Sequence, residues 1–240
     1  MEKRRGIRIN RYLAMCGFGA RRAVERLVAE GRVRVDGEVV TDLAFRVEAG
    51  AKVTVNGAVA RARRKFRYVA YYKRRGVLTT ARDPFRRRII KHELPRHLRS
   101  LKPVGRLDAD TEGLILLTDD GAFAHRVAHP SFGVLKRYVV EVRGCVTRKG
   151  VRELERGIKL RDGHIGRVNV ETVEAEAESS VVTLNVEYGR KRMLRQMFAA
   201  LRHRVTRLCR VNVGPVALGE LAPGEWRDLT AEEVKILRGQ

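Results

Sequence analysis

The sequence predicts an α+β protein in two parts, a small N-terminal domain and a larger C-terminal one. A chain of 240 residues can form one small and one medium-sized domain. Two short helical patterns and a hairpin fill the first 60 residues, and from residue 66 onward strands mix irregularly with a few helices. That mixture is typical of the α+β class and differs from regular βαβ repetition. We expect domains at residues 1–60 and 66–240, joined by a basic linker at residues 61–65.

The N-terminal domain follows the order helix, helix, hairpin. Residues Ile7 to Met15 and Arg21 to Ala29 are predicted helices, the second with its apolar side chains on one face. Alternating valines and arginines then lead into Asp36-Gly37, a dipeptide that favours a two-residue hairpin turn. The pattern repeats at Asn56-Gly57, so a second hairpin is predicted there.

The C-terminal domain opens with a predicted strand through residues 66–72, where Phe66, Tyr68, Ala70 and Tyr72 alternate with other residues. Four further apolar runs predict strands at Lys136–Val142, Val168–Val173, Val181–Glu187 and Arg204–Val211. The strongest helical pattern runs from Arg190 to Arg202, and its apolar stripe consists of Met193, Leu194, Met197, Phe198 and Leu201. A last helix is predicted from Ala231 to Leu237, with Thr230 and Glu233 placed as a capping box.

The charge balance points to a polyanionic partner. The chain has 51 Lys and Arg residues against 28 Asp and Glu residues, which gives 51 − 28 = +23 at pH 7. Such a surplus favours nucleic acid, because each neutralised phosphate releases counterions. An anionic membrane would attract it too, but the apolar runs are too short to span a bilayer and the N-terminus leads into no signal core. We expect a cytoplasmic protein that does not associate with membranes.

Several common kinds of site are not indicated. The three cysteines, Cys16, Cys145 and Cys209, have neither zinc-finger nor disulfide-framework spacing. Gly17-Phe18-Gly19 lies between two helices and lacks the third glycine of a dinucleotide loop, and no phosphate-binding loop is present. His125 and His129 have the spacing of two metal ligands on a helix, but no third ligand is evident. We therefore expect no metal and no cofactor.

The N-terminal domain carries a basic surface. Six arginines are candidates for contacts with RNA phosphates, namely Arg11, Arg21, Arg22, Arg26, Arg32 and Arg34. A solvated charged face is the alternative, but the helix-helix-hairpin order favours binding. The segment from Ile9 to Gly37 resembles the RNA-binding module named after ribosomal small-subunit protein four. It departs from the usual pattern at Ala20, where a serine commonly precedes the paired arginines.

A second motif covers Val104 to Thr118 and reads VGRLDADTEGLILLT. By itself this is a polar, glycine-punctuated loop that runs into a buried strand, and Asp108 could be a turn or capping residue. The Gly-Arg-Leu-Asp and Thr-Glu-Gly-Leu segments, however, resemble the catalytic-aspartate motif of bacterial ribosomal-RNA pseudouridine synthases of the RsuA/RluB type. The resemblance continues through five further blocks: His129-Pro130, Lys136-Arg137-Tyr138, Gly157 to Gly163, Gly189 to Phe198, and Gly214-Pro215.

The resemblance implies a fold and three catalytic roles. The fold would be a mixed, mainly antiparallel sheet flanked by helices. Asp108 would be the covalent nucleophile, attacking either ribose C1′ or base C6. Tyr138 would lie beside the base, and Arg195 would pair with the aspartate and keep it ionised. Arg106, in the same motif as Asp108, is expected to bind RNA. The helical pattern places Arg192 on the same side as Arg195, so Arg192 is expected to bind RNA as well. The alternative is that Arg192 and Arg195 only form the exposed basic face of an ordinary amphipathic helix.

The expected reaction is isomerisation of uridine to pseudouridine in ribosomal RNA, on a base flipped out of its helix. The Gly157–Gly163 block is closer to large-subunit than to small-subunit modifiers. Tyr138 and Phe132 are candidates for stacking on the base, although core packing is the preferred interpretation of Phe132. Met193 and Gln196 depart from the family pattern, which bears on substrate contacts. The partner would be ribosomal RNA or a partly assembled subunit, with the protein a monomer. A non-catalytic ribosome-assembly factor is the alternative.

Overall fold

The computed structural model describes residues 6–19, 21–61, 65–80 and 83–240. Two compact units are present, Met1–Phe66 and Arg67–Gln240. The predicted linker at residues 61–65 lies mostly outside the described residues, as does the departure at Ala20. The domain limits drawn from the sequence therefore stay a prediction.

The described residues of the N-terminal unit form two helices and six short strands. In chain order they are β1 (Ile7–Arg8), α1 (Ile9–Met15), α2 (Arg21–Ala29), β2 (Val33–Val35), β3 (Glu38–Val39), β4 (Arg46–Val47), β5 (Val53–Val55) and β6 (Ala58–Val59). Strands β3, β2, β5 and β6 form one antiparallel sheet, and β1 pairs with β4. The helix predicted to start at Ile7 begins two residues later because Ile7 and Arg8 pair with Val47 and Arg46.

Both predicted hairpin turns are present, and their backbone angles explain the residues found there. Asp36 and Gly37 have φ of 50° and 95°, and Asn56 and Gly57 have φ of 48° and 81°. Two consecutive positive φ values match the twist of a hairpin, and Asp-Gly and Asn-Gly tolerate them best. The turns orient the valines of β2 and β5 toward the helices. The buried core consists of Ile9, Leu13, Val24, Val28, Val33, Val35, Val40, Val47, Val53, Val55 and Ala60.

The C-terminal unit contains the remaining elements. They are β7 (Tyr68–Lys73), α3 (Ile90–Glu93), β8 (Lys102–Val104), β9 (Glu112–Thr118), α4 (Gly121–Ala128), β10 (Lys136–Arg143), α5 (Arg148–Arg156), β11 (Ile158–Lys159), β12 (Ile165–Gly166), β13 (Asn169–Ala175), β14 (Ser179–Val186), α6 (Met193–Ala200), β15 (Val205–Val213), β16 (Val216–Ala217), β17 (Trp226–Asp228) and α7 (Ala231–Arg238). Two 3₁₀ turns occur at Arg96–Leu98 and Pro130–Phe132.

One nine-stranded sheet organises this unit. Its order is β13-β14-β10-β15-β9-β7-β17, with β16 paired to β15 and β8 paired to β9. Within the described chain the pairing of β9 with β15 is parallel and the other pairings of this sheet are antiparallel. The predicted α+β class with a mixed, mainly antiparallel sheet is therefore confirmed.

The centre of the sheet is buried on both faces. In β9, Leu114 and Leu116 belong to one apolar cluster, while Ile115 and Leu117 belong to another. Alternate side chains of a strand point to opposite faces, so each face of this strand has its own core. Strand β7, which the sequence predicts from its alternating residues, is buried on both faces from Val69 to Lys73.

Helix α6 begins three residues later than its pattern predicts. Arg192 has φ 55° and ψ 27°, a left-handed conformation that cannot continue a right-handed helix, so the helix starts at Met193. Four of the five stripe residues are buried against β10 and β14, namely Met193, Leu194, Met197 and Phe198. The capping box predicted for the last helix is present, with Thr230 Oγ1 accepting from Glu233 N at 3.1 Å.

Candidate active site

Asp108 lies in the loop between β8 and β9, and three backbone contacts hold that loop. Thr79 Oγ1 donates to Leu107 O at 2.9 Å and accepts from Leu107 N at 3.3 Å. Gly76 N donates to Ala109 O at 2.7 Å. The Leu107 side chain is buried among the apolar residues of the adjacent core. The residues on either side of Asp108 are thus fixed, which restricts where its carboxylate can lie.

Gly113 explains why the loop ends beside β15. Its φ is +100°, a conformation that residues with a Cβ rarely adopt, and a Cβ there would lie 2.8 Å from both Arg210 N and Cys209 Sγ, and closer still to Arg210 O. Strands β9 and β15 pair in parallel at this point, with Gly113 opposite Arg210. The absence of a side chain lets the two backbones meet, and the loop that carries Asp108 reaches the residues of β15.

The loop forms one wall of a cleft of about 530 Å³, a size typical of ligand sites. The opposite walls come from β10, from the end of β14 with the segment before α6, and from β15. Asp108, Tyr138, Arg106 and Arg192 all line the cleft, so the structure brings four of the sequence-predicted residues together.

Asp108 and Tyr138 have unengaged polar groups. Both side chains are partly buried, and among the described residues neither the Asp108 carboxylate nor the Tyr138 hydroxyl has a hydrogen-bond partner. A β-bulge between Arg137 and Tyr138 shifts the register of β10 against β15, so that Tyr138 lies opposite Arg210. Bulges commonly redirect side chains next to active sites. The carboxylate and the phenol are both free to meet a ligand.

The expected pairing of Arg195 with Asp108 is wrong in the structure. Arg195 Nε lies 3.1 Å from Asp110 Oδ2, and Arg195 Nη2 donates to Asp110 O at 2.7 Å. Arg192 also binds Asp110, with hydrogen bonds of 3.0 and 2.8 Å to its two carboxylate oxygens. Arg192 lies just before the helix, with a left-handed backbone. Both arginines therefore bind Asp110, which lies two residues after Asp108 in the same motif.

The charges of Asp110, Arg192 and Arg195 affect one another's pKa values. Burial raises the pKa of Asp110, but the hydrogen bonds from Arg192 and the charge of Arg195 outweigh it and hold that pKa below its usual range. The side chain of Arg195 is only 12% exposed, and burial lowers its pKa while the charges of Asp110 and Asp108 oppose that shift. Arg195 thus lies within electrostatic range of Asp108, and it holds the loop through its bond to the Asp110 carbonyl.

Several cations of the site were not found by sequence reasoning. Lys136, Arg190, Lys191 and Arg210 line the cleft beside Arg106 and Arg192. Lys136 and Arg210 come together through the pairing of β10 with β15, which no local pattern shows. Among the described lining residues, Asp108 is the single acidic one.

Lys73 is a further missed residue beneath the loop. It is fully buried, and its Nζ donates to Thr111 O at 2.6 Å and to Arg74 O at 3.0 Å. Burial lowers the pKa of Lys73 to about 8, although the surrounding carboxylates oppose that shift. A lysine at the end of a buried strand was the available signal, since lysine is rarely buried unless it has a partner.

Two departures from the family pattern have defined contacts. Met193 is buried and reaches both the cleft and the core. Gln196 accepts from Arg161 N at 2.9 Å and donates to Lys191 O at 2.8 Å. It thereby ties the cleft segment before α6 to the loop at Arg161.

Phe132 does not pack in the core, so the preferred interpretation from the sequence is wrong. Its side chain is 40% exposed and contacts the rings of His125 and His129 edge-on, with the guanidinium of Arg126 over its face. The two histidines stack at 4.9 Å, and His129 caps α4 instead of belonging to it. No cluster of three metal-ligating side chains occurs in the described part of the chain.

The arginines predicted in the N-terminal unit are all exposed: Arg11, Arg21, Arg22, Arg26, Arg32 and Arg34. Arg26 and Arg32 each form an ion pair with Glu30, at 3.6 and 3.1 Å. Arg34 donates to Gly37 O across its own hairpin. Exposed ion pairs of this kind are weak, so they leave the arginines available for phosphates. Across the residues described, no helix is long and apolar enough to cross a bilayer.

Comparison with known proteins identifies the two units. A family model described as RNA pseudouridylate synthase matches residues 67–200, and a model of the S4 domain matches residues 7–53. The chain belongs to the RNA pseudouridylate synthase family, and it carries an N-terminal S4 domain. The resemblance expected from the sequence motifs is confirmed.

Relatives match along nearly the whole chain. The ribosomal large subunit pseudouridine synthase B of Bacillus subtilis is 36% identical over 96% of this chain and 95% of its own. The protein of the same name from Salmonella typhimurium is 36% identical over 97% of this chain and 82% of its own. A solved structure described as a pseudouridylate synthase superposes with a TM-score of 0.70 at 27% identity, covering 97% of this chain and all of that one.

Proposed function

We propose that the protein isomerises uridine to pseudouridine in ribosomal RNA of the large subunit, with Asp108 as the nucleophile. The observation that carries the proposal is the Asp108 carboxylate, which has no hydrogen-bond partner among the described residues and lines a cleft whose other charged lining residues are cationic. Cations at the walls suit a polyanionic substrate. A single free carboxylate suits a reaction that needs one covalent nucleophile.

The chemistry requires few groups because no atoms are imported. The N1–C1′ bond of uridine breaks, the uracil turns, and a C5–C1′ bond forms. Asp108 forms a covalent bond to ribose C1′ or to base C6 while the other fragment reorients, and is released as a carboxylate when the new bond is complete. The proton on C5 is lost and N1 gains one. No redox partner or cofactor takes part in this balance.

Tyr138 and Arg195 support the nucleophile in this proposal. Tyr138 presents its ring to the cleft, and its hydroxyl has no partner in the described part of the chain, so it can stack on the uracil and accept or relay a proton. Arg195 keeps the local potential positive and holds the loop through the Asp110 carbonyl. The uridine must be flipped out of its helix, because the reacting atoms of a stacked base cannot be reached.

The choice of large-subunit RNA is supported by the relatives. Two of them, from Bacillus subtilis and Salmonella typhimurium, are named as modifiers of the ribosomal large subunit, and each covers almost the whole of this chain. The Gly157–Gly163 block also favours that substrate. A bacterial enzyme acting on ribosomal RNA works in the cytoplasm, on free RNA or on a partly assembled subunit.

We assign docking to the N-terminal unit, and its deletion tests this. Removing residues 1–60 should weaken RNA binding and flatten its dependence on salt, since each lost phosphate contact on single-stranded RNA lowers the slope of log K against log salt by about 0.7. Binding of both proteins to the same RNA is measured across a salt series. Equal slopes would mean that this unit does not dock the RNA.

The reaction is tested with RNA labelled with tritium at C5 of uridine. The label is released only when C5 loses its hydrogen, so wild type should release it from unmodified large-subunit RNA and not from small-subunit RNA. Release from the small-subunit RNA alone would overturn the choice of substrate. Binding without release from either RNA, or from partly assembled subunits, would favour a non-catalytic assembly factor.

A further inference from the structure

Lys136 and Arg210 lie together in the cleft on two neighbouring strands. Lys136 is two residues before Tyr138 on β10, so both side chains share one face of the strand. Arg210 on β15 is the direct partner of Tyr138. All three line the same cleft, and the bulge at Arg137 and Tyr138 sets their register. A base stacked on Tyr138 would have both cations beside it.

The charge of Arg210 is poorly compensated. The residue is 5% exposed, its Nε donates to Leu114 O at 2.7 Å, and its Nη2 is shielded from water without a partner among the described residues. A buried cation without an acidic partner is costly. No carboxylate in the described chain forms an ion pair with it.

Lys136 adds a second cation to the same place. Its Nζ has one long contact, 3.5 Å to Glu187 O, and no acidic partner in the described part of the chain. Burial, and secondly the charge of Arg210, lower the pKa of Lys136 to about 8. The two cations therefore repel each other across the cleft. An anion bound between them would remove that repulsion.

We propose that Lys136 and Arg210 form a subsite for the phosphate that adjoins the target uridine in the RNA backbone. The inference rests on the proposed function and extends it. The two cations bind the negatively charged phosphate of the flipped nucleotide while its base stacks on Tyr138. A flipped nucleotide carries its flanking phosphates with it, and a guanidinium beside an ammonium is a common phosphate-binding pair. The nearby Arg190 and Arg192 are engaged by Asp162 and Asp110, whereas these two are not.

Binding of mononucleotides to the intact protein tests the subsite without requiring turnover. The affinities of uridine, uridine 5′-monophosphate and uridine 3′-monophosphate are measured by ligand-observed NMR at low salt. Wild type should bind at least one monophosphate about tenfold more tightly than uridine, the worth of one charge-assisted hydrogen bond. Lys136→Gln should remove that preference, and Lys136→Arg should retain it. Arg152→Gln, the same loss of charge at an exposed position of α5 outside the cleft, should leave the preference unchanged.

Thermal unfolding gives an independent readout. Since Lys136 has no acidic partner among the described residues and is repelled by Arg210, Lys136→Gln should raise Tm while it weakens monophosphate binding. A structural lysine would instead lower Tm when replaced. Equal affinity of wild type for uridine and both monophosphates, or an unchanged preference in Lys136→Gln, would overturn the subsite. Failure of the isomerase proposal alone would appear as monophosphate binding without tritium release.

Discussion

The substitution Gly113→Ala probes the contact that brings the Asp108 loop to the cleft. It adds one methyl group where β9 and β15 pair in parallel, 2.8 Å from Arg210 N and from Cys209 Sγ. Contacts under 3.0 Å cannot be kept, so the strands must separate or the backbone of β9 must change. Either movement shifts the loop against Arg210 and Tyr138, which form the other side of the site.

Two costs determine the expected loss of unfolding free energy. Alanine at φ +100° occupies a strained region, which costs about 1–3 kcal/mol, and overpacking between two buried strands costs about 1–3 kcal/mol more. We expect a loss of at least about 2 kcal/mol in unfolding free energy. A displacement near 1 Å at a catalytic group can lower turnover by about 100-fold, so kcat should fall by about 10–100-fold.

The matched control is Gly121→Ala, the same chemical change at the first residue of α4. A Cβ there meets nothing within 4 Å, and the backbone needs no positive φ. This variant should be neutral or up to about 1 kcal/mol more stable. Urea unfolding is followed by the fluorescence of Trp226, the single tryptophan of the sequence. Trp226 lies on β17, opposite Tyr71 of β7. The reasoning would be refuted if Gly113→Ala were fully active with an unfolding free energy within 1 kcal/mol of wild type, or if it were no more destabilised than the control.

Two further variants test how the loop is held. Asp110→Asn should cost about 2 kcal/mol and lower turnover, because Arg192 loses a partly exposed ion pair and Arg195 a less exposed one. The pKa of Asp110 is lowered in the folded state, so its contribution to stability is present above the unfolded pKa of about 3.9 and is lost as the pH falls through the folded pKa. The unfolding free energy should therefore depend less on pH across that range in the variant. An unchanged pH profile would contradict the ion-pair account. Thr79→Val should cost about 1–2 kcal/mol and lower kcat with little change in RNA affinity, because both hydrogen bonds to Leu107 are lost; a weaker RNA affinity at unchanged kcat would contradict this role.

Local features of the fold could be read from the sequence. The helix Arg21–Ala29 has its predicted bounds, and the turns at Asp36-Gly37 and Asn56-Gly57 form where the dipeptides favour positive φ. The final capping box needed only Thr230 and Glu233 at the right spacing. In each case the determining interactions lie within a few residues of one another.

Features set by distant contacts could not be read in this way. The start of α6 is displaced because Arg192 leaves the helix to bind Asp110, 82 residues away in the chain. Arg195 likewise contacts Asp110, 85 residues away in the chain, instead of the expected Asp108. Lys136 and Arg210 became neighbours only through the pairing of β10 with β15, which no local pattern specifies.

The central claim is that Asp108 is the nucleophile, and Asp108→Asn tests it most directly. Tritium release from C5-labelled large-subunit RNA is measured with wild type and with the variant, together with the affinity of each for the RNA. Asparagine keeps the size of the side chain but has no nucleophilic carboxylate. Release by wild type alone, with RNA affinities within a few-fold of each other, is the predicted result. Release by the variant at a rate near that of wild type would contradict the account.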